Sequence, residues 1–288
     1  MKYTNKCKLP KPIYDALTFD SYYHDGVISA TGLINSPRQY QLIKRHYSEI
    51  IKDAIDNFWS LMGSIGHNII EKEKVGEGLK EERLYMDILG WKIAGKFDLW
   101  LSPGSLEDYK FTSVWVYIMD KEKKEWEEQL NIYAYMMIDA GFPVKNLFIN
   151  AFFRDWIRSR AKYDKKYPQV PYKRYKLKLW SIDKQKKYIE GRVALHQAHE
   201  NTPDNELPEC TELERWQTET KYAVMKKGNK KACRGGLKNS MEEAEKYIKN
   251  HKDSIRMYVE IRRGEARKCA DYCDAAPFCN QYQKMCDG

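Results

Sequence analysis

Between residues 50 and 112 the spacing of apolar and polar positions changes from a helical period to a period of two. Ile50, Ile51, Ala54, Phe58, Met62 and Ile65 recur at helical spacing, which predicts a long amphipathic helix. Val75-Gly76-Glu77-Gly78 ends it, because glycine stops a helix; the Gly-Glu-Gly is too short to cradle a phosphate. Glu82 to Ile88 then predicts a strand, and Leu89-Gly90 a tight link. Trp91 to Leu101 follows as a half-buried strand, with Ile93, Gly95, Phe97, Leu99 and Leu101 on one side and Ala94, Lys96, Asp98 and Trp100 on the other. Ser102-Pro103-Gly104-Ser105 is a turn, since proline presets one dihedral and glycine tolerates the next. The chain returns from Leu106 to Thr112 as the second arm of a hairpin.

Helical spacing resumes over Lys121 to Ala140 and stops at Gly141-Phe142-Pro143. Asn146 to Ile157 is apolar enough to belong in the centre of a sheet, Tyr175 to Trp180 adds a strand, and Asp183 to Glu200 a helix. Residues 1 to 24 predict an irregular lead-in. Ser29 and Ser36-Pro37 offer helix starts before the run Gln41 to Tyr47. Around Asn201 to Pro208 the composition turns to Pro, Asp, Glu and Asn, a domain boundary. It divides a core over 1–205 from an extension over 206–288. In the extension, Ser240 with Glu243 makes a capping box for a helix running to Ile261, ahead of a cysteine-dense tail. The class is α/β: a mixed sheet flanked by helices, with a Cys-rich, mainly helical extension.

The candidate chemistry sits on the hairpin. Asp108 and Lys110, two apart, share a strand face, and the hairpin brings Asp98 beside Asp108. Neighbouring carboxylates repel and raise each other's pKa unless a divalent cation, which favours hard oxygen ligands, removes the conflict. An adjacent lysine then orients or deprotonates a water, or holds charge on a phosphoryl oxygen. Metal-assisted phosphodiester hydrolysis suits that set; an ordinary polar hairpin is the alternative. His67 and Glu71 lie one turn apart on the upstream helix, as do Gln129 and Tyr133 on the downstream one. His196 and His199 lack acidic or cysteine company and are expected at the surface.

In that order, Gly63-x3-His67-x3-Glu71, Gly95-x2-Asp98, Asp108-Tyr109-Lys110 and Gln129-x3-Tyr133 resemble the signature of the RecB-like branch of the PD-(D/E)XK nucleases. The similar region covers roughly residues 25 to 156. The resemblance implies a restriction-endonuclease-like core and a metal-dependent DNA exonuclease for recombination, repair or end processing. It implies that His67, Asp98 and Asp108, with the Tyr109 carbonyl, hold Mg²⁺ or Mn²⁺, and that Lys110 is the catalytic lysine. Gln129 and Tyr133 are expected to work on the DNA strand beside the metal. Glu107 does not match and receives no role. A structure-specific or CRISPR-adaptation-type endonuclease is an alternative, as are a DNA-binding accessory protein and an interaction module held by the cysteine tail.

The 288 residues are 42% hydrophobic and 13% aromatic, enough for a real core. No apolar run approaches the ~20 residues of a membrane helix, and no secretory segment follows the first charges, so a bacterial or phage-infected cell's cytoplasm is expected. The net charge of +9 comes from 50 Lys and Arg against 41 Asp and Glu. Much of the excess lies from Arg158 to Lys187, interleaved with Tyr163, Tyr167, Tyr172, Tyr175 and Trp180. That stretch either tracks DNA phosphates and bases or is a solvated loop with aromatics partly in the core. A recombination or replication protein partner is also expected.

In a cytoplasmic setting, Cys269-x3-Cys273-x5-Cys279-x6-Cys286 is a metal signature. RecB-like relatives with a [4Fe–4S] cluster use one upstream and three C-terminal cysteines. Here Ser36 stands at the usual upstream place, in Ser36-Pro37-Arg38, so a substitute is needed. Cys210 follows the boundary and heads the segment against which the tail must pack. Cys210, Cys269, Cys273 and Cys279 are therefore the expected ligands, Cys286 the reserve, and Cys7 and Cys233 bystanders. Four thiolates suit a [4Fe–4S] cluster or tetrahedral Zn²⁺, and the resemblance favours the cluster.

Overall fold

The computed structural model describes residues 1–19, 26–74, 76–119 and 124–287. Its lead-in is ordered: β1 (Lys2–Thr4), α1 (Lys11–Thr18), β2 (Val27–Ser29), α2 (Ala30–Ile34) and α3 (Pro37–His46). That corrects the irregular lead-in, except for residues 20–24, which lie outside the described residues. Pro12 misled because proline reads as a breaker, yet it sits in the first turn of α1, where its missing N–H costs no helical bond. Ser29 and Ser36 cap α2 and α3, accepting from the N–H groups of Gly32 (2.9 Å) and Gln39 (3.2 Å).

The helix expected from Ile50 starts later. Ile51–Asp53 is β3, paired in parallel with β1, and a 3₁₀ turn over Ala54–Asn57 leads into α4 (Phe58–Lys72). Asp53 sets this boundary. Its carboxylate accepts from Thr4 Oγ1 at 2.6 Å and from the Ile55 N–H, while Asp56 accepts from the Asp53 N–H. Val75, part of the expected stop, lies outside the described residues.

Next come β4 (Gly78–Lys80), β5 (Arg83–Ile88), β6 (Trp91–Lys96), β7 (Leu99–Leu101) and β8 (Ser105–Thr112). The single strand expected from Trp91 to Leu101 breaks at Phe97-Asp98. β6 pairs with β2 and β5, whereas β7 pairs with β4 and β8 in a different sheet. Opposite the break, Glu81 has φ +51°, a left-handed conformation rare outside glycine. Two backbone bonds, Glu81 N–H to Asp98 O and Phe97 N–H to Glu82 O, hold the corner. The chain continues through α5 (Trp115–Ile118), α6 (Lys124–Asp139), β9 (Asn146–Phe153), α7 (Arg158–Tyr163), β10 (Tyr172–Leu177) and α8 (Ile182–Ala198). The first residues of the expected helix over 121–140, 121–123, lie outside the described residues.

The larger sheet runs β10-β9-β8-β7-β4, with β8 and β9 parallel and the other pairs antiparallel. Such a mixed sheet, flanked by helices, is an α/β core. Leu106, Leu147, Ile149 and Ala151 of the sheet and Leu130, Ala134 and Met137 of α6 share one fully buried cluster. Each large aliphatic side chain there contributes about 2 kcal/mol by leaving water. His196 on α8 is also buried, not at the surface as expected. Its Nε2 lies 3.1 Å from Leu33 O, and burial pushes its pKa down to about 4. Among the described residues no helix is long and apolar enough to cross a membrane.

By backbone proximity, Met1–Tyr40 and Tyr47–Thr202 form one unit, and Gln41–His46 with Pro203–Gly288 form another. The second contains β11 (Lys221–Lys226), β12 (Leu237–Lys238), α9 (Met241–Lys249), β13 (Met257–Arg262), α10 (Arg267–Asp271) and α11 (Asn280–Asp287). Its sheet is antiparallel, in the order β12-β11-β13. Ser240 does cap α9, but the helix expected to reach Ile261 ends at Lys249. Tyr258, Val259 and Ile261 favour a pleated surface, and β13 pairs with β11 along its whole length. The extension therefore holds a sheet as well as helices.

Two close approaches position the helices on the sheets. A Cβ on Gly66 of α4 would fall 2.0 Å from the Phe111 ring of β8. On Gly95 of β6 it would fall 2.8 Å from Met136 Sδ and 2.9 Å from the Tyr133 ring of α6. Around Gly63, by contrast, nothing lies within 4 Å. Gly66→Ala is expected to destabilise the protein by about 1–3 kcal/mol through overpacking. Gly63→Ala is expected to stabilise it by about 0.5–1 kcal/mol through better helix propensity. Thermal unfolding of the two variants checks both signs.

Candidate active site

The corner between the two sheets collects the site. Asp98 lies at the break between β6 and β7, Glu81 between β4 and β5, and His67 on the third turn of α4. His67 Nδ1 is 3.4 Å from Glu81 Oε1 and 3.5 Å from Asp98 Oδ1. One donor atom from each of the three residues lies within 4.8 Å of the others. Lys96 Nζ reaches the other Glu81 oxygen at 2.5 Å, and the Tyr109 N–H donates to Asp98 Oδ2 at 2.6 Å.

Next to this group runs a line of polar side chains. Lys110 Nζ is 2.7 Å from Asp108 Oδ2 and donates to Gln129 Oε1 at 3.2 Å. Gln129 Nε2 in turn donates to Tyr133 Oη at 2.8 Å. Asp108 Oδ2 is buried and out of hydrogen-bond alignment with the ammonium, so the two are paired by charge alone. The structure thus brings His67, Asp98, Asp108, Tyr109, Lys110, Gln129 and Tyr133 to one place.

The charges show the strain of this crowding. Burial, and then the charge of Asp108, push the Asp98 carboxyl up to about 7. Burial works against a charged His67, but its bond to Glu81 and the charges of Asp98 and Asp108 outweigh it and raise the imidazole pKa. Glu81 is held low despite partial burial by His67 and Lys96. Burial and the Asp108 charge raise the Tyr133 hydroxyl, so it stays protonated and can donate. Carboxylate oxygens with one imidazole nitrogen form a donor set that fits a divalent cation of the Mg²⁺ or Mn²⁺ kind.

Glu81 is the residue that sequence reasoning missed. Glu71, one helical turn from His67, is exposed, and its carbonyl accepts from Lys80. Glu81 stands in a left-handed turn, where neither helical nor strand periodicity gives a signal. Glu107, given no role, is buried and occupied elsewhere: Arg174 pairs with it, and Asn150 and Ser105 donate to it at 2.8 and 2.9 Å. The basic stretch divides: Tyr167, Tyr175 and Trp180 are core residues, while Tyr163 and Tyr172 are exposed.

In the C-terminal unit the Cys269 thiol is influenced by Cys210 and Cys279, and the Cys273 thiol by Cys269, Cys210 and Cys279. Burial, then Cys210 and Cys279, raise the Cys269 thiol. Burial is also the first cause that pushes Cys273 up to about 11, with the other three thiols adding to it. Gln281 holds Cys210 in place, accepting from its N–H at 2.9 Å and donating to its carbonyl at 3.0 Å. Cys7 and Cys286 are exposed.

No protein-family model matches the chain, and no curated protein matches it. Among solved structures it is similar to that of SSO0001, with 18% identity and a TM-score of 0.42 over 67% of this chain and 85% of that one. It is also similar to an alkaline exonuclease, LHK-Exo, from Laribacter hongkongensis, with 12% identity and a TM-score of 0.33 over 66% of this chain and 94% of that one. The complex of LHK-Exo with dAMP gives 13% identity and a TM-score of 0.32 over the same shares, 66% and 94%.

Proton and cation compete for Asp98, so Mn²⁺ affinity is expected to fall as the pH drops below about 7. The raised His67 pKa acts in the same direction, because an imidazolium cannot ligate. Glu81→Gln is expected to weaken Mn²⁺ binding roughly tenfold or more. Isothermal titration across pH reads both effects; affinity flat from pH 8 to pH 5.5 would remove Asp98 from the binding group.

Proposed function

We propose that the protein is a metal-dependent DNA nuclease, acting as an exonuclease in recombination, repair or end processing. The observation that carries this is the buried Asp98–Asp108 pair, with an imidazole and a second carboxylate on one side and an ammonium on the other. In this reading His67, Glu81, Asp98 and Asp108, with the Tyr109 carbonyl, hold Mg²⁺ or Mn²⁺. The bound ion would cancel the carboxylate repulsion and polarise a phosphoryl oxygen. Lys110 orients the attacking water or holds charge on the phosphate, in a place where Asp108 fixes its ammonium. Gln129 braces Lys110 and Tyr133 together, and the protonated Tyr133 hydroxyl can donate to the DNA strand.

The arrangement of the four thiols supports a second part of the proposal: Cys210, Cys269, Cys273 and Cys279 hold a [4Fe–4S] cluster. The role is structural, tying the tail to the Cys210 segment, since phosphodiester hydrolysis needs no redox group. In the metal-free protein burial keeps Cys269 and Cys273 as thiols, so loading must release protons. An absorbance spectrum and iron analysis of anaerobically purified protein test it. About four irons per chain is expected; one zinc per chain in colourless protein would replace the cluster with Zn²⁺.

Linear, circular and end-blocked DNA, each with Mg²⁺, Mn²⁺ or EDTA, tests the activity. Cutting of free ends alone is expected; cutting of circles would make the protein an endonuclease. Lys110→Ala is expected to slow cleavage by about 10²–10³ while leaving DNA affinity nearly intact, because phosphate contacts elsewhere carry the binding. Gln129→Ala and Tyr133→Phe are expected to cost less, since they position groups and do not carry the developing charge. Single-turnover rates and filter binding separate these effects; a Lys110→Ala enzyme cutting at the wild-type rate places the catalytic lysine elsewhere.

A further inference from the structure

Beside the His67 centre, α4 presents an apolar face that is exposed among the described residues. Trp59 is 54% exposed and Ile69 59%, and no residue of α4 is fully buried. Trp59, Met62, Ile65 and Gly66, together with Phe111 and Arg154, line a groove of about 360 Å³. That is within the size of a small-molecule site, roughly 300–1,000 Å³. The Arg154 guanidinium lies 4.2 Å from the centre of the Trp59 ring.

From the groove a row of rings crosses the sheet. Phe111, Phe152 and Tyr172 stand opposite one another on β8, β9 and β10. Phe111 and Phe152 stack at 5.0 Å between centroids, and Tyr172 lies 5.4 Å beyond Phe152. The row is braced from beneath: Tyr172 Oη donates to Asn150 Oδ1 at 2.7 Å, and Asn150 donates to Glu107, which is paired with Arg174. Glu107, the buried carboxylate facing this row, is thereby charge-paired.

We propose that this face binds the unpaired bases of a DNA strand whose backbone enters the His67–Asp98–Lys110 centre. The inference rests on the nuclease reading and names the form of its substrate. Exposed rings beside arginines are the recurring platform for single strands, because every nucleotide offers a base with a π-face and a backbone phosphate. The bases of a duplex are already stacked on one another and offer no free face to Trp59. Continuity with the site argues for a strand over an apolar protein partner. The His67 and Phe111 ring centroids are 6.1 Å apart, and Gly66, which packs on Phe111, precedes His67 on α4. A polyanion extending from the one place reaches the other, and Arg154 complements its charge.

Fluorescence anisotropy with oligo(dT) and a hairpin-capped duplex, both in EDTA so that no cleavage intrudes, tests this. Trp59→Ala and Arg154→Gln are exposed changes, and thermal unfolding verifies that each variant folds. Each is expected to weaken oligo(dT) binding roughly ten- to a hundredfold and to leave capped-duplex binding unchanged. If Trp59→Ala and Arg154→Gln bind oligo(dT) normally, the inference is overturned even if the enzyme cuts DNA. If they lose oligo(dT) binding but the wild type cuts no DNA, the nuclease reading fails and the base-binding face stands. Equal losses for the capped duplex would also overturn it. So would unchanged oligo(dT) affinity with a changed sedimentation coefficient, which would make the face a contact between copies of this chain.

Discussion

Asp98, at the break between β6 and β7, and Asp108 of β8 are both buried, and their mutual repulsion organises what surrounds them. Two like charges cannot share a dry corner unless other groups or a proton offset them. The protein uses several at once: the Tyr109 N–H on Asp98, the Lys110 ammonium on Asp108, and the His67 imidazole across the gap. Even so, Asp98 holds its proton up to about 7 in the absence of a cation. A group that resists ionisation inside a cluster of donors is poised to exchange its proton for a metal, which is why this corner and not another carries the functional proposal.

The corner exists because a hairpin is divided between two sheets. Had Trp91 to Leu101 stayed one straight strand, Asp98 would stand in a regular ladder with its neighbours alternating around it. The break at Phe97-Asp98, matched by the left-handed Glu81 on the opposing chain, turns both carboxylates toward α4. A left-handed non-glycine residue costs of order 1 kcal/mol or more, and here the strain places a metal-binding type of side chain beside His67. The helices then close in only because two positions lack a Cβ: Gly66 brings α4 onto Phe111, and Gly95 admits Tyr133 of α6.

In the C-terminal unit the corresponding constraint is the burial of thiols. Leu42, Leu207, Ala275 and Cys279 form a small core, and Gln281 ties the Cys210 backbone to α11. So few large apolar residues make a weak core.

Much of the candidate site's geometry was legible in the sequence because it rests on short-range spacing. Asp108 and Lys110 share a face by strand alternation, Gln129 and Tyr133 by the helical turn, and the Pro103-Gly104 turn returns Asp108 to Asp98. What the sequence did not reveal depends on long-range pairing. Glu81 meets His67 only after β4 pairs with β7, and no period marks a residue in a left-handed turn. Met257 to Arg262 continued a helical pattern until β11, distant in the chain, offered it a hydrogen-bonded edge. His196 looked exposed by its polar neighbours, yet α8 turns it into the core against Leu33. Local periodicity decides which side chains share a face; which faces meet is decided by burial and backbone pairing across the whole unit.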